Sequence, residues 1–294
     1  MRRWAIGLTI GAAALYVTGG ALLTGIQRKL LFPAPSVPQA ALDEAAQHFG
    51  CETLRLTTSD GVSLYAWYRQ SRGERAVLFL HGNGETVADR PDLIAQLHMA
   101  GWDVLVPAYR GYPGSDGSPT EEGLYKDARA AWDYLVDVRG FDPADIVVHG
   151  KSMGGGVATG LLMDVHPAAL VLESTFTSLP DVAARVAWMY PVQWLMPDRF
   201  DTAARAPLLD LPVLLLHGTN DPLIPVDHAR TNLQRFPDAD LVEVPAGHGE
   251  TLTMLDASAR RAYMGLLTRV SREPDGEGDG PSRSDGAEGD GPAL

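Results

Sequence analysis

The segment that most constrains the fold of this chain is Gly150–Gly154, which reads Gly-Lys-Ser-Met-Gly. A short apolar run (145–149) precedes it and a helix-like run (157–163) follows it. A G-x-S-x-G pentapeptide between a strand and a helix is typical of a nucleophile elbow, a turn so tight that its central residue is strained. The two glycines remove collisions that larger residues would cause. The pattern therefore predicts that the hydroxyl of Ser152 stands at the top of a sheet.

A serine hydroxyl is a weak nucleophile at neutral pH and needs a base, together with a group that orients the base. Where an elbow occurs, these partners follow in the chain order Ser, then Asp or Glu, then His. One predicted strand leads into a turn that contains Asp221, and the next leads into a glycine loop that contains His248. Both follow carboxyl ends of strands, where open α/β sheets collect their ligands. We predict Ser152 as nucleophile, His248 as base and Asp221 as orienting acid. Glu173, which ends an earlier strand, is the alternative acid.

The loop after the apolar run 75–80 reads His-Gly-Asn-Gly at positions 81–84. In sites built on an elbow, an N–H from this earlier loop and the N–H of the residue after the serine stabilise the oxyanion. We therefore predict Met153 and Asn83 as the two oxyanion donors. Gly84 is a near alternative to Asn83.

Two charged residues adjoin these motifs. Glu85 directly follows the glycine loop, where a carboxylate would oppose an oxyanion. We expect it instead at the N-terminus of a helix predicted for 86–100, where it would accept free N–H groups. Lys151, inside the elbow, is expected to contact solvent or a neighbouring loop.

Three histidines, His81, His149 and His217, also end predicted strands near this edge. All three precede glycine, and they are expected to support loops through hydrogen bonds rather than to form a three-histidine zinc site. Cys51 is the only cysteine, which excludes an intrachain disulfide and a cysteine-based metal site. We therefore expect a site that works with no metal and no cofactor.

Strands alternate with helical runs through most of the chain, which is typical of a mostly parallel sheet covered on both faces. Two alternating segments, 52–57 and 62–68, predict an antiparallel hairpin ahead of this pattern. The later strands are predicted at 76–80, 103–107, 145–149, 168–172, 212–217 and 240–245. The helical runs are predicted at 86–100, 121–139, 153–165, 226–236 and 250–271.

The longest interruption of this alternation covers residues 175–209. It contains the large apolar residues Trp188, Met189, Tyr190, Trp194, Leu195, Met196 and Phe200. One hypothesis is a cap that serves as a lid and an acyl-binding wall, because substrate pockets are mostly apolar. The alternative is that these residues simply pack a helix onto the sheet.

The run Trp4–Ile26 contains no charged residue and has Arg or Lys on both sides. As a helix it would span about 34 Å, enough for a hydrocarbon core of about 30 Å. We predict residues 1–27 as a single-pass transmembrane anchor, with a cleaved signal peptide as the alternative. The positive charge is greater on the amino side, which favours a catalytic domain outside the cytoplasm.

The rest of the chain divides into a globular region, 28–271, and a tail, 272–294. The tail is rich in acids and glycine and has no aromatic residue, so it is expected to remain unfolded. It carries much of the net charge of −13, and neither part is basic, which argues against a nucleic-acid partner. Hydrophobic residues make up 45% of the chain, which is enough for a sizeable core.

Taken together, the motifs resemble the α/β-hydrolases and, within them, membrane-anchored serine hydrolases of the α/β-hydrolase-domain type. The matching segments are 81–84, 109–115, 150–155, 217–221 and 247–248. The resemblance covers about residues 28–271. It implies an α/β-hydrolase fold, with a mostly parallel eight-stranded sheet, helices on both faces and a short cap insertion at about 175–209.

The same resemblance implies ester, thioester or amide hydrolysis through an acyl-serine intermediate. We expect a small-molecule or lipid acyl substrate, held by a carboxylic ester or acyl thioester bond. A serine peptidase or amidase of the same fold is the alternative. A binding protein with this fold and little turnover is a second alternative, but it would be expected to lack part of the triad or the oxyanion loop.

Overall fold

The computed structural model describes residues 31–270, together with Tyr16, Thr18 and Arg28. Apart from Tyr16 and Thr18, the predicted anchor lies outside the described residues, and so does the predicted tail. Among the described residues, no helix combines the length and the hydropathy needed to cross a bilayer.

One eight-stranded sheet runs through the described residues. Its strands are β1 (Glu52–Thr57), β2 (Ser63–Arg69), β3 (Arg75–Leu80), β4 (Trp102–Pro107), β5 (Ile146–Lys151), β6 (Ala169–Glu173), β7 (Val213–Gly218) and β8 (Ala239–Val244). Their order across the sheet is β1-β2-β4-β3-β5-β6-β7-β8. Strand β2 pairs antiparallel with β1 and β4, and every other neighbouring pair is parallel. The predicted fold class is confirmed.

Burial along the strands explains their sequences. The inner strands β4, β5 and β7 are buried along their whole length, whereas most residues of the edge strands β1 and β8 are partly or fully exposed. Inner strands of a parallel sheet are covered on both faces, and they therefore read as continuous apolar runs.

The helices connect these strands and cover the sheet. Outside the segment 175–209 they are α1 (Gln39–His48), α2 (Pro91–Met99), α3 (Glu121–Asp133), α4 (Met153–Leu161), α8 (Asp227–Leu233), α9 (Leu252–Leu255) and α10 (Ala257–Val270). Within the segment 175–209 they are α5 (Leu179–Val186), α6 (Val192–Leu195) and α7 (Thr202–Arg205), followed by a 3₁₀ turn at Ala206–Leu208.

The first predicted helix, 86–100, is shorter in the structure because it begins at Pro91. The side chain of Asp89 accepts hydrogen bonds from the backbone N–H and the hydroxyl of Thr86, which forms a turn before the helix. Proline is well suited to the first helical position, where its missing N–H costs nothing. The expectation that Glu85 lies at this helix N-terminus is therefore wrong.

Two other helical runs are interrupted. The run 121–139 ends as an α-helix at Asp133 and continues as a π-helical turn at Tyr134–Val138. The run 250–271 divides at Asp256, whose carboxylate accepts hydrogen bonds from the N–H groups of Ser258 and Ala259. Asp256 thus caps the start of α10.

The chain changes direction across the sheet between β3 and β5. The connection from β3 leads to β4 on one side, whereas the connection from β5 leads to β6 on the other. A switch point of this kind leaves a crevice at the carboxyl ends of the strands, and it places helices on both faces. The loop after β3 and the elbow after β5 both open onto this crevice.

Candidate active site

The elbow residue Ser152 has backbone angles of φ 52° and ψ −116°. A positive φ is uncommon for any residue other than glycine, so the strained turn that the pentapeptide predicts is present. Two hydrogen bonds hold it in place. The Ser152 N–H donates to the carbonyl of Glu173 at 2.8 Å, and the Ser152 carbonyl accepts from the hydroxyl of Thr175 at 2.6 Å.

The glycines of the elbow permit close backbone contacts. A Cβ added at Gly150 would overlap the carbonyl oxygen of Gly154, and one added at Gly154 would overlap the carbonyl oxygen of Leu80. Backbone atoms cannot move aside as flexible side chains can. The two glycines are therefore required for the start of α4 to lie against the ends of β5 and β3.

The structure brings together Ser152, His248 and Asp221, although they are distant in sequence. His248 Nε2 lies 3.0 Å from Ser152 Oγ, and His248 Nδ1 lies 2.6 Å from Asp221 Oδ2. A carboxylate can only accept, so Nδ1 carries the imidazole proton and Nε2 presents its lone pair to the hydroxyl. This tautomer is the one that can accept a proton from a serine.

Asp221 is held from both sides. Its Oδ1 accepts hydrogen bonds from the backbone N–H groups of Leu223 and Ile224, at 2.9 and 2.8 Å. Burial raises the pKa of Asp221, but the hydrogen bonds from His248 and from Ile224 outweigh burial and hold the pKa below its ordinary value. The carboxylate is therefore ionised at neutral pH and able to stabilise a protonated imidazole.

Glu173, the alternative acid, has other partners. Its Oε2 lies 3.3 Å from Nε2 of His149, and its Oε1 accepts a hydrogen bond from the Leu252 N–H at 3.4 Å. Asp221, and not Glu173, is thus the acid in contact with His248 among the described residues.

The predicted oxyanion donors, Asn83 and Met153, line the same cavity as Ser152. Met153 is the first residue of α4, and a helix leaves the N–H groups of its first turn without intrahelical acceptors. The side chain of Asn83 is engaged elsewhere, because it accepts from the Tyr112 hydroxyl at 2.7 Å and donates to the Leu31 carbonyl. Among the described residues, Asn83 lines the cavity and Gly84 does not.

Lys151 contacts a neighbouring loop, which is one of its two expected environments, and it is only 1% exposed. Its ammonium lies 2.8 Å from Oε1 of Glu85. Neither the burial of this lysine nor its partner follows from the local sequence, which shows only a polar residue inside a turn.

A cavity of about 570 Å³ adjoins Ser152, and its walls are largely apolar. One wall is the face of α5 that carries Leu179, Val182, Ala183 and Val186. Their spacing at positions i, i+3, i+4 and i+7 is a helical apolar face. This signal was present in the sequence, although the prediction named only large apolar residues between Trp188 and Phe200.

The large apolar residues of the segment 175–209 have three different environments. Tyr190, Leu195 and Met196 line the cavity, as a substrate-binding wall would. Phe200 is fully buried between Phe32 and Tyr125, as expected for a residue that packs the segment onto the body of the protein. Trp188 and Trp194 are exposed at 77% and 89%. Part of this segment therefore packs onto the body of the protein, and another part lines the cavity beside Ser152.

The three strand-end histidines have separate partners among the described residues. His81 Nδ1 lies 2.9 Å from the Gly82 carbonyl, and His217 Nε2 lies 2.8 Å from the Ile224 carbonyl. His149 Nδ1 lies 3.1 Å from the hydroxyl of Tyr263. Burial lowers the pKa of His81 and of His217, which favours the neutral imidazole in both.

Comparison with known proteins identifies relatives over most of the chain. Residues 71–200 match the family described as serine aminopeptidase, S33. An uncharacterized protein of Mycobacterium tuberculosis is 36% identical over 220 residues, which cover 74% of this chain and 78% of that protein. The α/β hydrolase domain-containing protein WAV2 of Arabidopsis thaliana is 30% identical over 82% of this chain and 86% of its own length.

Solved structures share the fold. The esterase Pf2001 of Pyrococcus furiosus superposes with a TM-score of 0.68 at 21% identity, covering 81% of this chain and 98% of the esterase. The sheet order, the elbow geometry and the extent of the sequence matches lead to one conclusion: the chain belongs to the α/β-hydrolase superfamily.

Proposed function

We propose that this protein is a serine hydrolase that cleaves carboxylic esters or acyl thioesters through an acyl-serine intermediate. The observation that carries the proposal is the pair of contacts from Ser152 to His248 and from His248 to Asp221, at the wall of an apolar cavity. These contacts have the length and order that a serine nucleophile requires.

In the proposed reaction, Ser152 Oγ attacks the carbonyl carbon of the substrate while Nε2 of His248 accepts its proton. His248 then delivers this proton to the leaving alcohol or thiol, which leaves an acyl group on Ser152. Water, activated in turn by His248, releases the acyl group as a carboxylic acid. Asp221 stabilises the imidazolium form of His248 in both steps.

Each tetrahedral intermediate carries a negative oxygen. The N–H groups of Asn83 and Met153 are the donors that would stabilise it. Loss of one such donor raises the barrier by about 2.7–4 kcal/mol in enzymes of this kind. No step of this mechanism calls for a metal or a cofactor.

The cavity supports an acyl group as the recognised part of the substrate. Its walls are mostly apolar, and a volume of about 570 Å³ is within the range of small-molecule sites. Apolar walls stabilise a hydrocarbon chain by removing it from water. A substrate with a saturated or lipid-derived acyl chain therefore fits this site better than a sugar or a polar peptide.

A peptidase or amidase is the alternative, which the description of the matching family favours. A peptidase that recognises a free amino terminus needs an acid near the scissile bond, since an ammonium group is costly to bury unpaired. The described residues that line the cavity include one cation, Arg185, and no aspartate or glutamate. This lining favours the ester or thioester substrate.

Attachment to a membrane through residues 1–27 belongs to the same proposal. Its support is the uncharged run Trp4–Ile26, which is long enough to cross a bilayer as a helix and has Arg or Lys on both sides. A membrane-associated enzyme would meet lipid-derived substrates directly. Fractionation of cells that express the full chain or a chain lacking residues 1–27 tests the attachment, which predicts membrane recovery for the full chain only.

The experiment that tests the function compares hydrolysis of chromogenic esters, thioesters and peptide anilides by wild type and Ser152→Ala. The proposal predicts turnover of esters or thioesters that depends on Ser152, with a preference for acyl chains longer than acetyl. Turnover of anilides alone would favour the peptidase. Equal rates in the two proteins would reject Ser152 as the nucleophile.

A further inference from the structure

A single carboxylate joins three loops of the candidate active site. Glu85 Oε1 lies 2.8 Å from the ammonium of Lys151 and also pairs with the guanidinium of Arg90. Its Oε2 accepts a hydrogen bond from the Gly82 N–H at 2.9 Å. Arg90 continues the network through a hydrogen bond of 2.8 Å to the hydroxyl of Thr251.

The charged groups of this network are largely buried, so the network is stable only if each charge has a partner. The side chains of Lys151 and Arg90 are 2% and 8% exposed, and that of Glu85 is 17% exposed. A buried ammonium without a partner is costly, because it loses its hydration and gains nothing in return. Among the described residues, Glu85 is the carboxylate that pairs with Lys151. The lysine therefore holds the glutamate in place, and the glutamate holds the lysine.

The partners of Glu85 stand next to the groups that would react. Gly82 directly precedes the oxyanion donor Asn83, and Lys151 directly precedes Ser152. Thr251 lies on the loop that carries His248. We propose that Glu85 is a positioning residue, which holds the oxyanion loop, the nucleophile elbow and the His248 loop in the alignment that catalysis needs. This inference rests on the proposed function.

A carboxylate near an oxyanion would repel it, and the cations that pair with Glu85 offset this repulsion. One carboxylate is paired with two cations, Lys151 and Arg90, so that the cluster carries a net positive charge. A positive cluster stabilises a nearby oxyanion instead of opposing it. Removal of the Glu85 charge should therefore act through loop alignment, since the local potential would become more favourable for the oxyanion. Alignment is the stronger effect, because small displacements of reacting groups can cost about 100-fold in rate.

The test uses the full chain and four variants. Glu85→Gln keeps the shape of the side chain and removes its charge, Lys151→Met removes the buried ammonium, and a double variant combines both changes. Asp145→Asn is the matched control, because Asp145 pairs with Arg75 at the opposite, amino edge of the sheet. For each protein, kcat and KM are measured with a chromogenic ester, and affinity is measured for a trifluoromethyl ketone, which forms an oxyanion on the serine.

We expect Glu85→Gln to lower kcat by about 10- to 100-fold while KM changes by less than about twofold. Affinity for the ketone should fall by about the same factor as kcat/KM, since the ketone imitates the transition state. The double variant should be no slower than Glu85→Gln, because it leaves no unpaired ammonium, and the two changes are thus non-additive. Asp145→Asn should match wild type.

Several results would overturn the inference. A Glu85→Gln protein with wild-type kcat and ketone affinity, or one that loses only thermal stability, would make Glu85 a structural brace and no more. If Glu85→Gln does not fold, Lys151→Met and the double variant decide: wild-type kcat and ketone affinity in both would contradict the inference. A wild type that neither hydrolyses esters nor binds the ketone would contradict the proposed function itself, and this inference with it.

Discussion

Glu173 Oε2 lies 3.3 Å from Nε2 of His149, and both residues are almost completely buried. The two residues lie on the neighbouring strands β6 and β5, and the elbow follows the end of β5. This contact engages the carboxylate that could have competed with Asp221 for His248. The two acids consequently have different roles in the structure, and substitutions can separate them.

Asp221→Asn should lower kcat by about 10³- to 10⁴-fold, because an amide neither fixes the Nδ1–H tautomer of His248 nor stabilises its protonated form. The measurement is steady-state hydrolysis of a chromogenic ester. Thermal unfolding of the variant provides the check that the fold is intact.

Glu173→Gln is the matched comparison, since it removes one buried carboxylate beside one histidine. It should lower kcat by less than about tenfold, because Glu173 does not contact His248, and should reduce stability modestly, because it alters a fully buried contact with His149. Wild-type kcat in Asp221→Asn, together with a collapse of activity in Glu173→Gln, would exchange the two assignments.

Any side chain at Gly154 should destabilise the folded protein. A Cβ there would overlap the Leu80 carbonyl, so Gly154→Ala is expected to cost about 3 kcal/mol or more in the free energy of unfolding. Urea unfolding at neutral pH measures this change. A loss below about 1 kcal/mol would mean that the elbow is less tightly packed than described.

Gly265→Ala is the control for that experiment. Gly265 lies in the exposed face of α10, and an added Cβ would meet no atom within 4 Å. Alanine has the higher helix propensity, so this variant should gain about 0.5–1 kcal/mol. The opposite signs of the two changes distinguish close packing from a general effect of replacing glycine.

The acyl cavity should set the chain-length preference. Ala183 lies on the cavity face of α5, and Ala183→Trp would fill part of the space beside Ser152. We expect kcat/KM for octanoyl and longer esters to fall by at least tenfold, while the value for acetyl esters changes little.

Ala184→Trp places the same ring one position along α5, at a residue that is not among the described cavity-lining residues. Its chain-length profile should match wild type. Equal effects of both variants on all esters would indicate a general disturbance of the cap and would contradict this assignment of the cavity.

The site residues predicted from sequence are those whose positions follow from short local sequence patterns. The elbow, the glycine loop after β3 and the positions of Asp221 and His248 each follow from a strand that ends in a turn, and strand ends of a parallel sheet meet at one edge. Local pattern was enough to place these groups together.

The residues that sequence reasoning missed depend on contacts between distant loops. Nothing around Lys151 indicates that it is buried, because its environment is created by Glu85 on another loop. The late start of α2 has a different, local cause, the Thr86–Asp89 turn, which a helical period in 86–100 conceals. Pairing across the fold thus overrides the local pattern at Lys151, and a short side-chain turn does so at the start of α2.

Acid should destabilise the protein partly through His81. Its Nδ1–H donates to the Gly82 carbonyl, while Nε2 is buried with no hydrogen-bond partner among the described residues. Burial lowers the pKa of His81 from its ordinary 6.5, although the bond to Gly82 opposes this shift. Because the folded pKa lies below the unfolded one, its stabilising contribution is complete above about pH 6.5 and is lost as pH falls toward the folded pKa.

Urea unfolding of wild type and His81→Phe at pH 7.5, 6 and 5 checks this contribution. The free energy of unfolding of the wild type should decrease toward pH 5, and His81 can account for at most about 1.36 kcal/mol per pH unit. The variant should show a shallower decrease, to which other buried histidines such as His217 still contribute. Parallel profiles in the two proteins would show that His81 is not held neutral by the fold.

The most direct test of the central claim is the reaction of the full chain with a fluorophosphonate, followed by peptide mapping of the adduct. The account predicts one covalent adduct on the Ser152 hydroxyl, formed at least about 10³-fold more slowly in His248→Ala, where no base accepts the proton. An adduct on another residue, or an unchanged labelling rate in His248→Ala, would contradict it.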